Sequence, residues 1–439
     1  MGCVRAARAG RSECRVLGKP EADTAARRFV RWLGTNSAAA YAGAALLVLL
    51  AAVATYGAGR GLGSPRNQFD LHIYYDAVSY WARGGYLYSY SQPDVLNGSL
   101  GFTYPPIAAV LMWPMTLLPW HVVQVLTLVL IITAAVAFVW LCVRDSVRIN
   151  GATGLVLLGL ITCVAFLYEP MRLTLSFGQV NIFLGLFVAF DLLFLQRRGS
   201  KWMGIGIGLA VAIKITPGIF IVYLLCTARW RAAIVASATA AVASVVAIIF
   251  AQKEVLNFYT EVLWDTSRVG LVDTRGNQSI NGLLARLASP EAPSKAVWVL
   301  LAGIVVAFGL WRARSAFRAG DEMAGMALAG MAGLMVSPVT WVHHAVWVIP
   351  AVIVLAHRLV ELRGAPKTRE FYSSVALLVV GVGWLVSLDK YVADYAPNWS
   401  GAGWWAQLMG NLPILWILAA LAFLPARKQI PLLKQFLPA

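Results

Sequence analysis

The chain has 439 residues, of which 59% are hydrophobic and only 13% charged, and its mean hydropathy is +0.70. These values exclude an ordinary soluble globule and leave a polytopic membrane protein. The net charge of +16 at pH 7 reports orientation in a bilayer and attraction to anionic headgroups, with no nucleic-acid partner implied.

The first 33 residues carry eight Arg or Lys against three acids and no apolar run, so residues 1–37 read as a basic cytosolic tail. The apolar run Ala38 to Tyr56 contains AVA at Ala52 to Ala54, which resembles a cleavage site. It exceeds the roughly 7 to 15 residues of a signal h-region, and an uncleaved anchor is expected. Segments near the roughly 20 residues that a span needs then recur almost to the C-terminus. The expected spans are 38–56, 121–143, 152–168, 180–196, 203–213, 217–227, 232–250, 296–311, 324–339, 344–360, 371–388 and 405–424. The expectation is therefore an all-α protein of about twelve crossings with both termini inside. One transmembrane domain, 38–425, carries outer loops 57–103 and 251–295, and residues 426–439 form a second cytosolic tail.

Two stretches are unusual. Lys201 to Arg231 is too short for two full spans but basic at both ends, which predicts a hairpin of short helices with its apex at KITPG, Lys214 to Gly218; Pro217 and Gly218 permit a break there. TYPPIAAVLMWPMTLLP, Thr103 to Pro119, is interrupted by prolines and reads as embedded from the outer side without crossing. On this assignment the inside segments hold the whole positive excess and the outside segments balance, as the positive-inside rule requires. Cys3, Cys14, Cys142, Cys163 and Cys226 fall in no outer loop, so neither a disulfide framework nor a cysteine metal site is expected.

The uncommon polar motifs gather on the outer side. They are FDLHIYYDAVSYWARGG, TYPP, EPMRLTLSFGQVN, KITPG, DTRGNQSINGLL and SPVTWVHH. Each residue has a plain structural reading beside the functional one. Asp70 would serve as a helix N-cap. His72 and Asp76, four apart, would pair on one helix face, and the surrounding Tyr and Trp residues suit a headgroup-level belt. Gln179 and Asn181 would bridge packed helices, and Lys214 would snorkel. A protonated His343 or His344 at a helix start opposes the dipole unless an anion is near.

Taken together the same residues suit sugar transfer from a lipid phosphate. A leaving phosphate needs cationic or N–H donors, for which Arg172, Lys214, Arg275, His343 and His344 are candidates. A sugar hydroxyl acceptor needs a carboxylate to take its proton, either Asp70 or Asp76. Asn277, Gln278 and Asn281 would hold sugar hydroxyls, with His72, Tyr104, Gln179, Asn181 and Trp341 as further substrate contacts. No phosphate-binding loop of the GxxxxGK[ST] type occurs, and GIGIG at Gly204 to Gly208 lies inside an apolar span, so activated sugar must arrive as a lipid. Adjacent His343 and His344 lack the i, i+4 spacing of helical zinc ligands, and no metal or cofactor is expected.

The motif order resembles the polyprenol-phosphate-mannose-dependent mannosyltransferases of the glycosyltransferase C superfamily, most closely the PimE-type alpha-1,2-mannosyltransferases that extend phosphatidylinositol mannosides. The resemblance covers roughly Tyr41 to Leu424. It implies a membrane fold of GT-C type with outer-face juxtamembrane helices, a plasma-membrane location and an active site on the extracytoplasmic side. It also implies that polyprenol-phosphate-mannose is the donor and a phosphatidylinositol mannoside the acceptor, with inversion from a beta-linked donor to an alpha product. The family's catalytic aspartate falls on Asp70, and Asp76 lies outside that match. The donor-phosphate histidine falls in VHH, with His344 favoured over His343. A monomer among membrane lipids is expected. A secondary transporter predicts repeated halves and midplane acids, which the sequence lacks. A lipid-linked polymer ligase predicts its large Arg/His-rich loop in the second half, whereas the best carboxylate lies in the first loop.

Overall fold

The computed structural model describes residues 37–61, 68–94, 97–144, 151–362, 368–385 and 399–427. The basic N-terminal tail, most of the C-terminal tail, and Cys3 and Cys14 lie outside the described residues. The described residues are mostly helical, and among them is one short antiparallel hairpin, β1 (Gln92–Asp94) and β2 (Gly98–Leu100).

Helix α1 (Ser37–Gly61) is followed by α2 (Phe69–Ala82), the hairpin, α3 (Pro106–Met112) and α4 (Trp120–Val143). Next come α5 (Gly151–Leu167), α6 (Glu169–Phe177), α7 (Asn181–Ala189), α8 (Ile205–Ile213), α9 (Ile219–Cys226) and α10 (Trp230–Thr260). The second half contains α11 (Ile280–Ala288), α12 (Lys295–Arg318), α13 (Glu322–Val336), α14 (Val348–Glu361), α15 (Arg369–Leu385), α16 (Trp404–Gly410) and α17 (Leu412–Phe423). A helix overlaps each of the twelve predicted spans, of which residues 386–388 lie outside the described residues. Three of them, beginning at Trp120, Trp230 and Lys295, are individually long and apolar enough to cross a bilayer among the described residues. Counting each bent pair as one span, α5 with α6 at 80° and α16 with α17 at 63°, raises the number to five. The protein is membrane-embedded: α10 exposes Val242, Ile249 and Phe250, side chains that belong against hydrocarbon and not water.

Small residues set the packing. In α13 every position from Glu322 to Met335 is buried, and its glycines admit neighbours that a Cβ would strike: Tyr223 at Gly325, the Trp347 ring at Gly330 and Ile219 at Gly333. The GIGIG run has the same explanation, since Gly206 faces the Phe187 carbonyl and Gly208 faces Ala236 and Thr239. Close backbone approach is the main device for helix association where lipid removes the hydrophobic drive.

Two short helices, α8 and α9, flank the Lys214 break as expected. Thr103 to Pro119 becomes α3 and a tighter turn, Trp113–Leu117, between prolines. The aromatic residues after α1 are less superficial than a headgroup belt. Tyr74, Tyr88, Phe102 and Tyr104 are buried in a second core, with Leu71, Ile73 and Val78 of α2. Tyr80 is 40% exposed, and Tyr75, Trp81, Tyr86 and Tyr90 are half-buried.

A further buried staple closes the second half. Arg286 is 0% exposed and donates from Nη1 to the carbonyls of Thr274 and Asn277 at 2.7 Å each, and from Nε to Asn411 Oδ1 at 2.8 Å. It therefore ties α11 to the α16–α17 bend. Arg286→Leu strands these acceptors in a dry interior and is expected to cost about 3 kcal/mol or more. Thermal unfolding in lipid checks this: an unchanged midpoint would show that the staple carries no stability.

Candidate active site

The site forms where α2 meets the break between α6 and α7. Gln68, at the start of α2, adopts a left-handed backbone (φ 54°) and donates its N–H to the Ser176 carbonyl at 2.9 Å. Gly178 ends α6 with φ 68°, and a Cβ there would lie 2.7 Å from Leu71 Cβ. Glycine is required at that point both by conformation and by the approach of α2. These two stitches bring Asp70 beside Gln179.

Asp70 is the second residue of α2 and not its N-cap, which is Gln68. Its carboxylate accepts a hydrogen bond from Gln179 Nε2. Gln179 Oε1 in turn accepts from Asn181 Nδ2 at 3.1 Å and from the Tyr104 hydroxyl at 3.4 Å. Asn181 Oδ1 accepts from Lys214 Nζ at 3.0 Å, and the same ammonium lies 2.9 Å from His344 Nε2. An ammonium can only donate, so His344 accepts at Nε2 and its ring is neutral. Tyr74, one helical turn after Asp70, meets the Tyr104 hydroxyl at 2.9 Å. The Tyr104 ring also lies 5.1 Å from Lys214 Nζ.

Six candidates are thereby brought together: Asp70, Tyr104, Gln179, Asn181, Lys214 and His344. Lys214 does not snorkel. It sits buried in the break between α8 and α9, outside the spanning helices, where burial draws its ammonium down to about 7 against the raising effect of Asp70. His343, the neighbour of His344, instead packs edge-on against Phe177 with ring centres 5.3 Å apart, and its carbonyl accepts from Asn181 Nδ2 at 3.3 Å. A small cavity below the cluster is lined by Asn181, His344 and Thr340 on its polar side and by Leu184, Phe220 and Leu334 on its apolar side.

Other candidates fall elsewhere. Asp76 accepts from the Tyr90 hydroxyl at 3.3 Å and pairs with His72 Nδ1 at 3.8 Å. His72 lies against Trp120 with ring centres 3.6 Å apart; burial lowers its affinity for a proton, with Asp76 acting the other way. Six residues at 100° each place Asp76 about 120° around α2 from Asp70. Arg275 engages Glu169 at 4.0 Å, and Arg172 lies on α6 three residues beyond Glu169.

The amides expected to hold sugar hydroxyls bind backbone groups. Asn277 Nδ2 donates to the carbonyls of Val272 and Pro338, and its Oδ1 accepts from Ser279 and Thr340 N–H groups. Gln278 binds the carbonyls of Arg275 and Gly410 and the N–H of Ile414. Asn281 donates to the Pro338 carbonyl at 3.2 Å. With the Asn277–Trp341 bridge these contacts clamp GNQSING onto SPVTWVHH, and so fix where His344 stands. Trp341 covers Gly276 and Gly270 within that clamp. Tyr74 was not among the candidates from sequence, although its i+4 spacing from Asp70 was the available signal.

A family model described as glycosyltransferase family 87 matches residues 102–338. A protein of Mycobacterium tuberculosis strain H37Rv, named polyprenol-phosphate-mannose-dependent alpha-(1-2)-phosphatidylinositol mannoside mannosyltransferase, is 34% identical over 393 residues, 86% of this chain and 89% of the relative. One from Mycolicibacterium smegmatis, named for a pentamannoside acceptor, is 32% identical over 364 residues, 82% of this chain and 85% of the relative. No solved structure matches. Asp70 precedes the segment matched by the family model and His344 follows it.

Proposed function

The chain belongs to glycosyltransferase family 87, and from that premise we propose that this glycosyltransferase is an inverting mannosyltransferase. It moves mannose from polyprenol-phosphate-mannose to a phosphatidylinositol mannoside and forms an alpha-1,2 linkage. The reading extends to a GT-C architecture of about twelve spans in the plasma membrane, working as a monomer with its site on the extracytoplasmic face and without a metal.

The observation that carries the proposal is the joining of one carboxylate, Asp70, to a buried cation and histidine, Lys214 and His344, through Gln179 and Asn181. A single displacement needs that pair of functions. Asp70 takes the proton of the acceptor 2-hydroxyl as its oxygen attacks the anomeric carbon. The carbon–oxygen bond to the phosphate breaks on the opposite face through an oxocarbenium-like state, as in inverting glycosidases. Negative charge gathers on the departing polyprenol phosphate, where the Lys214 ammonium and the remaining N–H of His344 receive it. A phosphate leaves without needing a general acid.

The test is transfer by purified protein in lipid nanodiscs supplied with polyprenol-phosphate-mannose and a phosphatidylinositol mannoside, with the product linkage read by NMR. An alpha-1,2 product is expected. A folded protein that transfers nothing from this donor would overturn the reading, and a different linkage would overturn its regiochemistry.

A further inference from the structure

The hydrogen bonds between Lys214 and Asp70 have one direction. Lys214 Nζ can only donate and the His343 carbonyl can only accept, so the Asn181 amide has its oxygen toward Lys214 and its nitrogen toward His343 and Gln179. Gln179 must then present Oε1 to Asn181 and Tyr104, which leaves Nε2 to face the carboxylate. Each amide orientation follows from what its neighbours can do. Every link donates toward Asp70. Such a chain is cooperative, because each donor is strengthened by the donor behind it in a medium of low polarity.

We infer that Gln179 and Asn181 are positioning residues that join the base to the donor-phosphate cation, so that an anion arriving at Lys214 is transmitted to Asp70 as a gain in proton affinity. In the resting enzyme the ammonium polarises Asn181, which polarises Gln179, and the carboxylate is quieted by a strong donor. When a phosphate draws the ammonium toward itself, the chain slackens and Asp70 becomes the stronger base. Deprotonation of the acceptor is thus favoured only when donor is bound. The inference rests on Asp70 as the base and assigns the two amides to alignment and not to holding sugar.

The Asp70 carboxylate acts in turn on Tyr74 and Tyr104, whose hydroxyls it helps keep protonated, and on Lys214, whose ammonium it favours. Neither α3 nor the turn Trp113–Leu117 carries a titratable residue. On α6, Glu169 is held by Arg275 and Arg172 is the other charge.

Infrared titration in nanodiscs tests this without turnover, reading the carboxylic-acid stretch that disappears in Asp70→Asn. Gln179→Ala removes the donor and is expected to raise the Asp70 midpoint by about one pH unit. Asn181→Ala, whose amide reaches Asp70 through Gln179, should raise it by about half a unit. Saturating farnesyl phosphate should raise the midpoint in the wild type and raise it less in Asn181→Ala. Asn181→Leu, of similar shape but with no group to donate or accept, serves if Asn181→Ala unfolds on heating in the same discs. A midpoint and phosphate response in the Asn181 variant equal to wild type would overturn the chain, even with Gln179→Ala shifted, by reducing it to one local bond. Should the wild type transfer no mannose, the substrate assignment would fall while the infrared result still decided the chain.

Discussion

Asp70→Asn is expected to lower kcat by about a thousandfold or more while the protein remains folded. The carboxamide still offers an oxygen to Gln179 Nε2, so the stitch between α2 and the α6–α7 break survives. What disappears is a group able to take a proton at neutral pH. Asp76→Asn supplies the comparison. Asp76 faces Tyr90 and His72 on another side of α2, and its replacement should change kcat within about threefold, as for other surface substitutions. Initial rates with both lipids, alongside unfolding midpoints, decide the matter. Loss of transfer in Asp76→Asn with retention in Asp70→Asn would reverse the assignment.

Lys214→Met should lower kcat/KM for the donor by about a hundredfold or more. Methionine keeps much of the apolar stem but leaves the departing phosphate with the neutral ring of His344 alone. A pH signature accompanies the loss. With the resting ammonium drawn down to about 7, the positive form is depleted as pH rises through that value, so the donor KM of the wild type should increase on the alkaline side. The variant has no such group, and its donor KM should stay flat there. An alkaline rise that persists in Lys214→Met would assign the titration to another residue. An unchanged kcat/KM would remove Lys214 from the donor site.

Much of this site was legible because an ionisable residue in an apolar chain is conspicuous. Asp70, Lys214 and the histidine pair stand out against their surroundings, and the Pro-Gly break at 217–218 marks where a buried cation can sit without interrupting a span. The hairpin of short helices followed from its length and basic flanks. Amides were harder. Gln179 and Asn277 look alike in sequence, yet one faces a carboxylate and the other is consumed by four backbone groups. That distinction depends on which carbonyls arrive from residues 60 or more positions away, as Pro338 does, and local pattern does not encode it. The tyrosines after α1 were read as a belt because aromatic residues near a span usually are one. Their burial depends on the hairpin and α3 folding over α2. Gly178 shows the same difficulty: its need for a positive φ and for room beside Leu71 appears only once α2 has docked.

The stitch between α2 and the end of α6 also has a consequence for biogenesis. The bond from Gln179 to Asp70 spans 109 positions, and that between Lys214 and His344 spans 130. A chain emerging from the ribosome therefore inserts Asp70 long before Gln179, and Lys214 long before His344. The helix that carries Asp70 must wait until α6 and α7 have been made before its stitch can close, and the cluster is complete only once the segment beyond Trp341 is in place. Contacts this distant in sequence form slowly. The polar cluster is thus among the last features of the fold to be completed during synthesis.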